Sequence, residues 1–233
     1  MAIIHHYTQV SSTLDVLHEL AARGAPHGTV VVAEEQLEGR GSRGRTWLSP
    51  PGGLWYSILC RPGEAAVDVL SLRVGLAVAR TMEAIADVER IPLKWPNDVM
   101  LGDRKLGGLL CEARWAGSSV GWVAVGIGIN VEADLPEDLR ATARNLSEVA
   151  PGVTPDRLIE PLTAALLRVM PGEATLTDQE LREFELRDWL RGRHLREPVA
   201  GVADGILADG TLRVATPSGQ RRPVRAGHVV LAL

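Results

Sequence analysis

Along the chain the spacing of apolar positions switches between a period near two and one near 3.6, and the switches mark out the elements. Behind Ser12 as N-cap, residues 13–22 show helical spacing, with Asp15 in the first turn. GTVVVAEEQ (28–36) is a β-branched run that predicts a strand, and the stretch from Leu54 to Cys60 predicts a second. Apolar residues then recur at helical intervals over 65–88, which predicts a long helix laid against a sheet. From 91 the pattern returns to strands: IPLKW, a turn at Trp95-Pro96-Asn97-Asp98, DVML, a hairpin turn at Gly102-Asp103, KLGGLLCEARW (105–115) and the buried-looking run VGWVAVGIGINV (120–131).

Residues 135–152 read as a surface loop with helical turns. Thr154 followed by Pro155 reads as the N-cap and first residue of a helix running to Met170, in which Pro161 would introduce a kink unless the helix starts after it. Thr177 and Glu180 fit a capping box for a helix over 176–190. Beyond about Arg196 short β runs alternate with turns expected at Asp204-Gly205, Asp209-Gly210 and Ser218-Gly219, a small all-β module. Two units follow, 1–192 and 193–233, with no internal repeat.

Composition narrows the class. A formal net charge of −4 over 233 residues argues against a general binder of nucleic acid or membrane surface. Cys60 and Cys111 both sit in apolar runs and read as buried free thiols, which fits a reducing cytoplasm. The first ten residues lack the basic start and apolar core of a signal peptide, and no apolar run approaches the roughly 20 residues of a membrane helix. His5-His6 is too short for a metal tract.

The chemistry concentrates in EGRGSRGRTW (38–47). Gly39, Gly41 and Gly44 satisfy a dinucleotide fingerprint, and Gly39 to Thr46 satisfy a phosphate-loop pattern with arginine for lysine. Both motifs need the glycines to open a helix whose N-terminus faces the phosphate. Here Pro50, Pro51, Gly52 and Gly53 block a helix, and the loop joins two strands. What remains is a loop whose glycines permit close approach and whose Arg40, Arg43 and Arg45 carry planar forks suited to phosphate or carboxylate. Gly107-Gly108 inside a strand suggests a bulge or a closely approaching ligand, with Lys105 beside them. Gly126, Gly128 and Asn130 fall on one face of the next strand.

Taken together, AEEQLEGRGSRGRTW, KWPNDV, DRKLGGLL and VGIGINV, with SSTLDVL at 11–17, resemble the biotin protein ligases, in the family's order and spacing. The resemblance implies an α+β fold: a mixed or antiparallel sheet with helices on one face, as in class II synthetase-like biotin/lipoate ligases, and a C-terminal SH3-like β-barrel. It implies two steps. Biotin's carboxylate attacks the α-phosphorus of ATP, accompanied by magnesium, to give biotinyl-5′-AMP. A lysine of a biotin carboxyl carrier domain then takes the acyl group.

By the same resemblance Lys105, Arg40 and Asp98 are the catalytic candidates, Asp98 for the proton of the acceptor amine. Ser12, Thr13, Leu14, Gln36, Gly39, Arg40, Gly41, Ser42, Trp55, Lys105, Gly107 and Gly108 fall at biotin-side positions. Arg40, Arg43, Trp47, Lys94, Asn97, Asp98, Lys105 and Asn130 fall at nucleotide-side positions, with Trp47 as a cover for the adenylate. Core packing is the stronger reading for Trp115 and an equal one for Trp95. Arg221, Arg222 and Arg225 read as a solvated face.

Two positions depart from the family. Ser42 stands where the loop's second arginine belongs, so retention of the adenylate is in doubt unless Arg43 or Arg45 substitutes. Leu14 replaces an asparagine, which predicts weaker biotin binding. Lipoate ligation on a related fold, and a non-enzymatic biotin-binding module, remain alternatives. The first strand is expected within a few residues of Met1, leaving no room for a helix-turn-helix, so no operator binding is expected. Monomer and homodimer are both compatible with the resemblance.

Overall fold

The strands that the alternation predicts pair into one seven-stranded sheet, and the computed structural model describes residues 2–61, 67–170 and 172–232 of the chain. The elements run β1 (Ile4–Val10), α1 (Thr13–Ala22), β2 (Val30–Gln36), β3 (Gly53–Cys60), α2 (Val67–Ala86), β4 (Leu93–Lys94), β5 (Asp98–Leu101), β6 (Arg104–Ala116), β7 (Ser119–Asn130), α3 (Pro155–Val169), α4 (Asp178–Glu185), β8 (His194–Glu197), β9 (Gly201–Ile206), β10 (Leu212–Ala215), β11 (Arg221–Val224) and β12 (Val230–Leu231). Residues 65 and 66, expected in α2, lie outside the described residues.

The main sheet has the order β1-β2-β3-β7-β6-β5-β4; β1 and β2 are parallel and the other pairs antiparallel. Alternation along each strand separates two apolar layers. Val30, Ile58, Val123 and Val125 join the large core beneath α2 and α3, whereas Val31, Leu59 and Ala124 turn to the other face and meet Leu14 and Leu17 of α1. The long helices therefore cover one face as expected, and short α1 lies on the opposite one. Each fully buried aliphatic side chain in these layers contributes about 1.5–3 kcal/mol. A five-stranded sheet of order β11-β10-β9-β8-β12 closes the chain, and Leu195, Ala203, Leu212 and Val214 belong to the same large core. Trp95, buried, donates its indole N–H to Gly210 O at 2.9 Å and links the two sheets.

Three local expectations are corrected. The helix over 176–190 stops at Glu185, because the chain leaves it to pair with Leu93: Leu93 N donates to Arg187 O at 2.7 Å, and Trp189 N donates to Leu93 O at 3.0 Å. Asp204-Gly205 is not a turn but a bulge inside β9, where Gly205 takes φ +80° and the register against β10 slips. Helix α3 starts at Pro155 behind Thr154, as that pair predicts, and continues through Pro161 to Val169. Trp115 is 65% exposed rather than core, because the β6–β7 hairpin outruns its neighbour: β3 ends at Cys60, opposite Val123, so no third strand flanks Trp115.

Candidate functional site

The loop between β2 and β3 is a small hairpin of its own. Gln36 pairs with Ser49 and Arg40 with Thr46, and the tip Ser42–Gly44 is one short 3-10 turn with Arg43 at φ 62°. Leu37 N and Glu38 N donate to Val10 O and Ser11 O, tying the base of the loop to the entry of α1. The segment that both phosphate motifs would have placed at a helix N-terminus thus folds back over the sheet.

Beneath it opens a cavity of about 710 Å³. Its floor comes from the glycines of β6 and β7. Gly108 and Gly128 are direct register partners and leave a platform free of side chains. The Trp47 indole lies on it: a Cβ at Gly128 would come within 2.7 Å of Trp47 Nε1, and one at Gly108 within 3.4 Å of Trp47 Cζ3. Trp47 Nε1 is buried and has no hydrogen-bond partner in the protein, a donor left for an acceptor brought from outside.

At one end the wall is polar and narrow. Thr13 N and Oγ1 both donate to Gln36 Oε1, at 2.8 and 3.0 Å. Since the threonine proton is used there, the Ser57 hydroxyl 2.7 Å away donates to Thr13. Gln36 Nε2 donates to Ser49 Oγ at 2.8 Å. Ser12 is buried at the helix start and makes no side-chain cap bond, and Leu14 rests against Gly126.

The other end is charged. Lys105 Nζ stands 2.5 Å from Asp98 Oδ1 and 5.0 Å from the centre of the Trp47 ring. Lys94 lies 5.4 Å over the Trp189 ring; burial lowers its pKa, Lys105, Arg45 and Arg193 lower it further, and Asp98 opposes them. Burial lowers His228 too, with Arg45, Lys94 and Arg43 acting in the same direction. Lys94, Lys105 and Arg45 share this wall with the carboxylates of Asp98 and Asp103, the latter paired with Arg193, which leaves a surplus of positive charge in a partly dehydrated space. Such a wall stabilises anions and polarises bonds to phosphorus. Among the described residues no group of three or more His, Cys, Asp or Glu side chains could hold a metal.

Most of the residues singled out in the sequence meet at this cavity: Ser12, Thr13, Leu14, Gln36, Arg40, Gly41, Ser42, Trp47, Lys94, Asn97, Asp98, Lys105, Gly108 and Asn130 line it. Asn97 also braces the wall, donating from Nδ2 to Leu109 O at 2.7 Å. Four others stand off. Gly39 is packed at the loop base, where a Cβ would meet Trp47 O at 2.3 Å. Gly107 faces away from the platform, against Ile129 Cδ1. Trp55 donates to Pro50 O and packs with Ala133 and Leu135 behind Trp47. Arg43 lines a neighbouring cavity of about 240 Å³ with Arg225 and His228.

Sequence reasoning did not single out Tyr56, Asp103, Trp189 and His228 as wall residues. The last two come from the exit of α4 and the end of the second sheet, distant in sequence and carrying no local motif.

Comparison with known proteins adds lineage to this geometry. The profile of the Biotin/lipoate A/B protein ligase family matches residues 7–130. A biotin--[acetyl-CoA-carboxylase] ligase of Paracoccus denitrificans is 31% identical over 227 residues, covering 86% of this chain and 89% of that protein. A bifunctional ligase/repressor of Bacillus spizizenii is 40% identical over 147 residues, 60% of this chain; the match spans 45%, under half, of that relative's length. The solved structure of a biotin protein ligase from Aquifex aeolicus in complex with biotin and ATP has a TM-score of 0.80 at 28% identity, covering 99% of this chain and 98% of that one.

Proposed function

The chain belongs to the biotin/lipoate A/B protein ligase family, and from that premise we propose that it is a biotin protein ligase: it forms biotinyl-5′-AMP from biotin and ATP, with magnesium accompanying the nucleotide, and passes the biotinyl group to a lysine of a carboxylase's carrier domain. The observation that carries the reading is the joining, in one cavity, of a glycine platform under Trp47 to a wall that carries Lys94, Lys105 and Arg45 beside Asp98.

In the first step the carboxylate attacks the α-phosphorus and pyrophosphate leaves, so two anions must be brought together. Lys105 meets the carboxylate and the developing phosphate oxygens, Asp98 holds its ammonium in place, and Lys94 and Arg45 face the remaining phosphate charge. The polar end, with Thr13 and Gln36, receives the ureido ring, and Trp47 covers the adenylate. In the second step the acceptor amine attacks the acyl carbon, the bond to the AMP oxygen breaks, and AMP departs with the electron pair. Asp98 orients the incoming ammonium and takes its proton.

Residues 1–192 form the catalytic part in this reading, and 193–233 a module that contributes His228 to the wall. A reducing cytoplasm suits the free thiols of Cys60 and Cys111, and among the described residues no helix is long and apolar enough to cross a membrane. Ser42 bears on release: Arg45 Nη2 donates to Ser42 Oγ at 3.2 Å, which supports Arg45 as the substitute cation. The test is transfer of label to a carrier domain, with biotin and nucleotide omitted in turn and lipoate offered in place of biotin. Labelling that needs both biotin and ATP supports the reading; labelling by lipoate alone, or binding of biotin without transfer, replaces it with one of the two alternatives.

A further inference from the structure

The glycine loop is fastened to the body of the protein through one side chain. Arg40 donates from Nη1 to Asp15 Oδ2 at 2.8 Å and lays its Nε–Nη2 edge against both oxygens of Glu112 at 3.4 Å. Asp15 belongs to the first turn of α1 and Glu112 to β6, so this guanidinium joins a helix, a strand and the loop. Glu112 is itself held. His18 Nε2 lies 2.9 Å from Glu112 Oε2, and Trp122 Nε1 donates to His18 Nδ1 at 3.0 Å. An indole N–H can only donate, so His18 Nδ1 presents its lone pair and the ring proton sits on Nε2, aimed at Glu112. Burial pushes the Glu112 pKa up, but the bonds from His18 and Arg40 outweigh it and hold the carboxyl below its ordinary range, ionised.

The charge count of this cluster matters. One guanidinium faces two carboxylates, Asp15 and Glu112, so the cluster is net negative by one. An anion arriving at that wall finds a cation already committed. The surplus of positive charge lies on the other wall, at Lys94, Lys105 and Arg45 around Asp98.

We propose that Arg40 is a positioning residue and not an anion ligand: clamped by Asp15 and Glu112, with His18 and Trp122 backing Glu112, its side chain sets the backbone of residues 39–42 at the cavity mouth. Naming biotin as the ligand rests on the biotin-ligase reading; the clamp itself does not.

The two roles give opposite signs for one substitution. Were Arg40 an anion ligand, Glu112→Gln would free its charge and tighten biotin binding. As an anchor, Arg40 loses half its seat, and biotin binding weakens about tenfold, the worth of a hydrogen bond between charged groups. The loss then appears in KM, with kcat little changed. Asp15→Asn, at the more exposed end of the clamp, shifts the same quantity in the same direction and keeps the comparison open should the Glu112 variant fold poorly. In a double-mutant cycle, Arg40→Gln with Glu112→Gln binds no more weakly than Arg40→Gln alone.

Trypsin supplies a readout that needs no ligand. The native loop is cut at its exposed tip after Arg43, and release of the clamp makes the bond after Arg40 cut at least as fast, with the global melting temperature unchanged. Tighter biotin binding by Glu112→Gln, additive losses in the cycle, or cleavage after Arg40 no faster in the variants overturns the proposal. Absence of biotin binding by the native protein overturns the ligase reading instead, and the tryptic comparison still decides the clamp.

Discussion

Replacing Lys105 by methionine keeps the aliphatic stem and removes the ammonium, which makes it the sharpest perturbation of the first chemical step. The ammonium touches Asp98 at 2.5 Å with a side chain 28% exposed, in a wall that also carries Lys94 and Arg45. Loss of one preorganised charge at a developing oxyanion costs about 2.7–4 kcal/mol, roughly 100- to 1,000-fold in rate. A second, smaller cost comes from stranding the Asp98 carboxylate beside the incoming anions. Both partners are partly solvated, so this amounts to about 1 kcal/mol, and adding Asp98→Asn to Lys105→Met should recover roughly fivefold. Biotin-dependent exchange of labelled pyrophosphate into ATP, run at saturating biotin, isolates the step. kcat and kcat/KM should fall together, since the interaction is made chiefly in the transition state. Asp98→Asn alone should leave exchange within a few-fold while slowing transfer to the carrier lysine roughly 100-fold. Exchange by Lys105→Met within about tenfold of the native rate would refute the electrostatic account of the wall.

Four further outcomes check other links. Gly128→Ala puts a methyl 2.7 Å from Trp47 Nε1 and drives the indole off its platform; the fold should persist, and biotin affinity measured by titration calorimetry should drop about tenfold, the order of an overpacking cost of 1–3 kcal/mol. With acceptor limiting, the native protein should label lysines of an added bystander protein, and Ser42→Arg should suppress this by mass spectrometry; the bystander must be supplied because Lys94 and Lys105, both on the cavity wall, are the chain's two lysines. Arg73 is 3% exposed and bonded to Glu180, Glu173 O and Thr175 O, so Arg73→Met strands Glu180 and should cost about 3–5 kcal/mol in urea unfolding. Burial raises the Asp188 carboxyl to about 6, and its Oδ2 has no partner. The folded state then holds that proton more tightly than the unfolded chain, so stability is lost as pH rises from about 4 through about 6, and Asp188→Asn should gain on the native protein across that window and show no relative gain below it.

Much of the fold was legible because burial is one-sided. Val30, Val31 and Val32 alternate between two apolar layers, and residues 67–86 keep helical spacing that only a helix can bury. The failures share a cause. Nothing in LRDWL says that the chain should abandon α4 to pair with Leu93, because the competing partner lies more than ninety residues away in sequence. Trp115 reads as core by composition, and it is exposed because β3 ends first, a matter of relative strand lengths. Arg73, buried and fully bonded, has the local pattern of a solvated arginine. In the site, residues carried by motifs assembled as a group, whereas Trp189 and His228 arrive from elements whose docking no local pattern encodes.

The glycine loop makes the same point at the level of chemistry. A phosphate cradle works by offering several unspent backbone N–H groups at a helix start. Here the loop is a hairpin instead, and two of its amides are used within it: Gly41 N bonds Arg45 O and Trp47 N bonds Gly39 O, both at 2.8 Å. The loop's three arginines do not share one task. Arg40 is clamped to Asp15 and Glu112, Arg43 turns through a left-handed backbone toward the smaller cavity, and Arg45 reaches both cavities while holding Ser42. Equal residues at near-equal spacing therefore acquire unequal chemistry from the partners each one finds. Asp15 and Glu112, which lie outside the loop itself, decide that Arg40 is the one whose charge is already used.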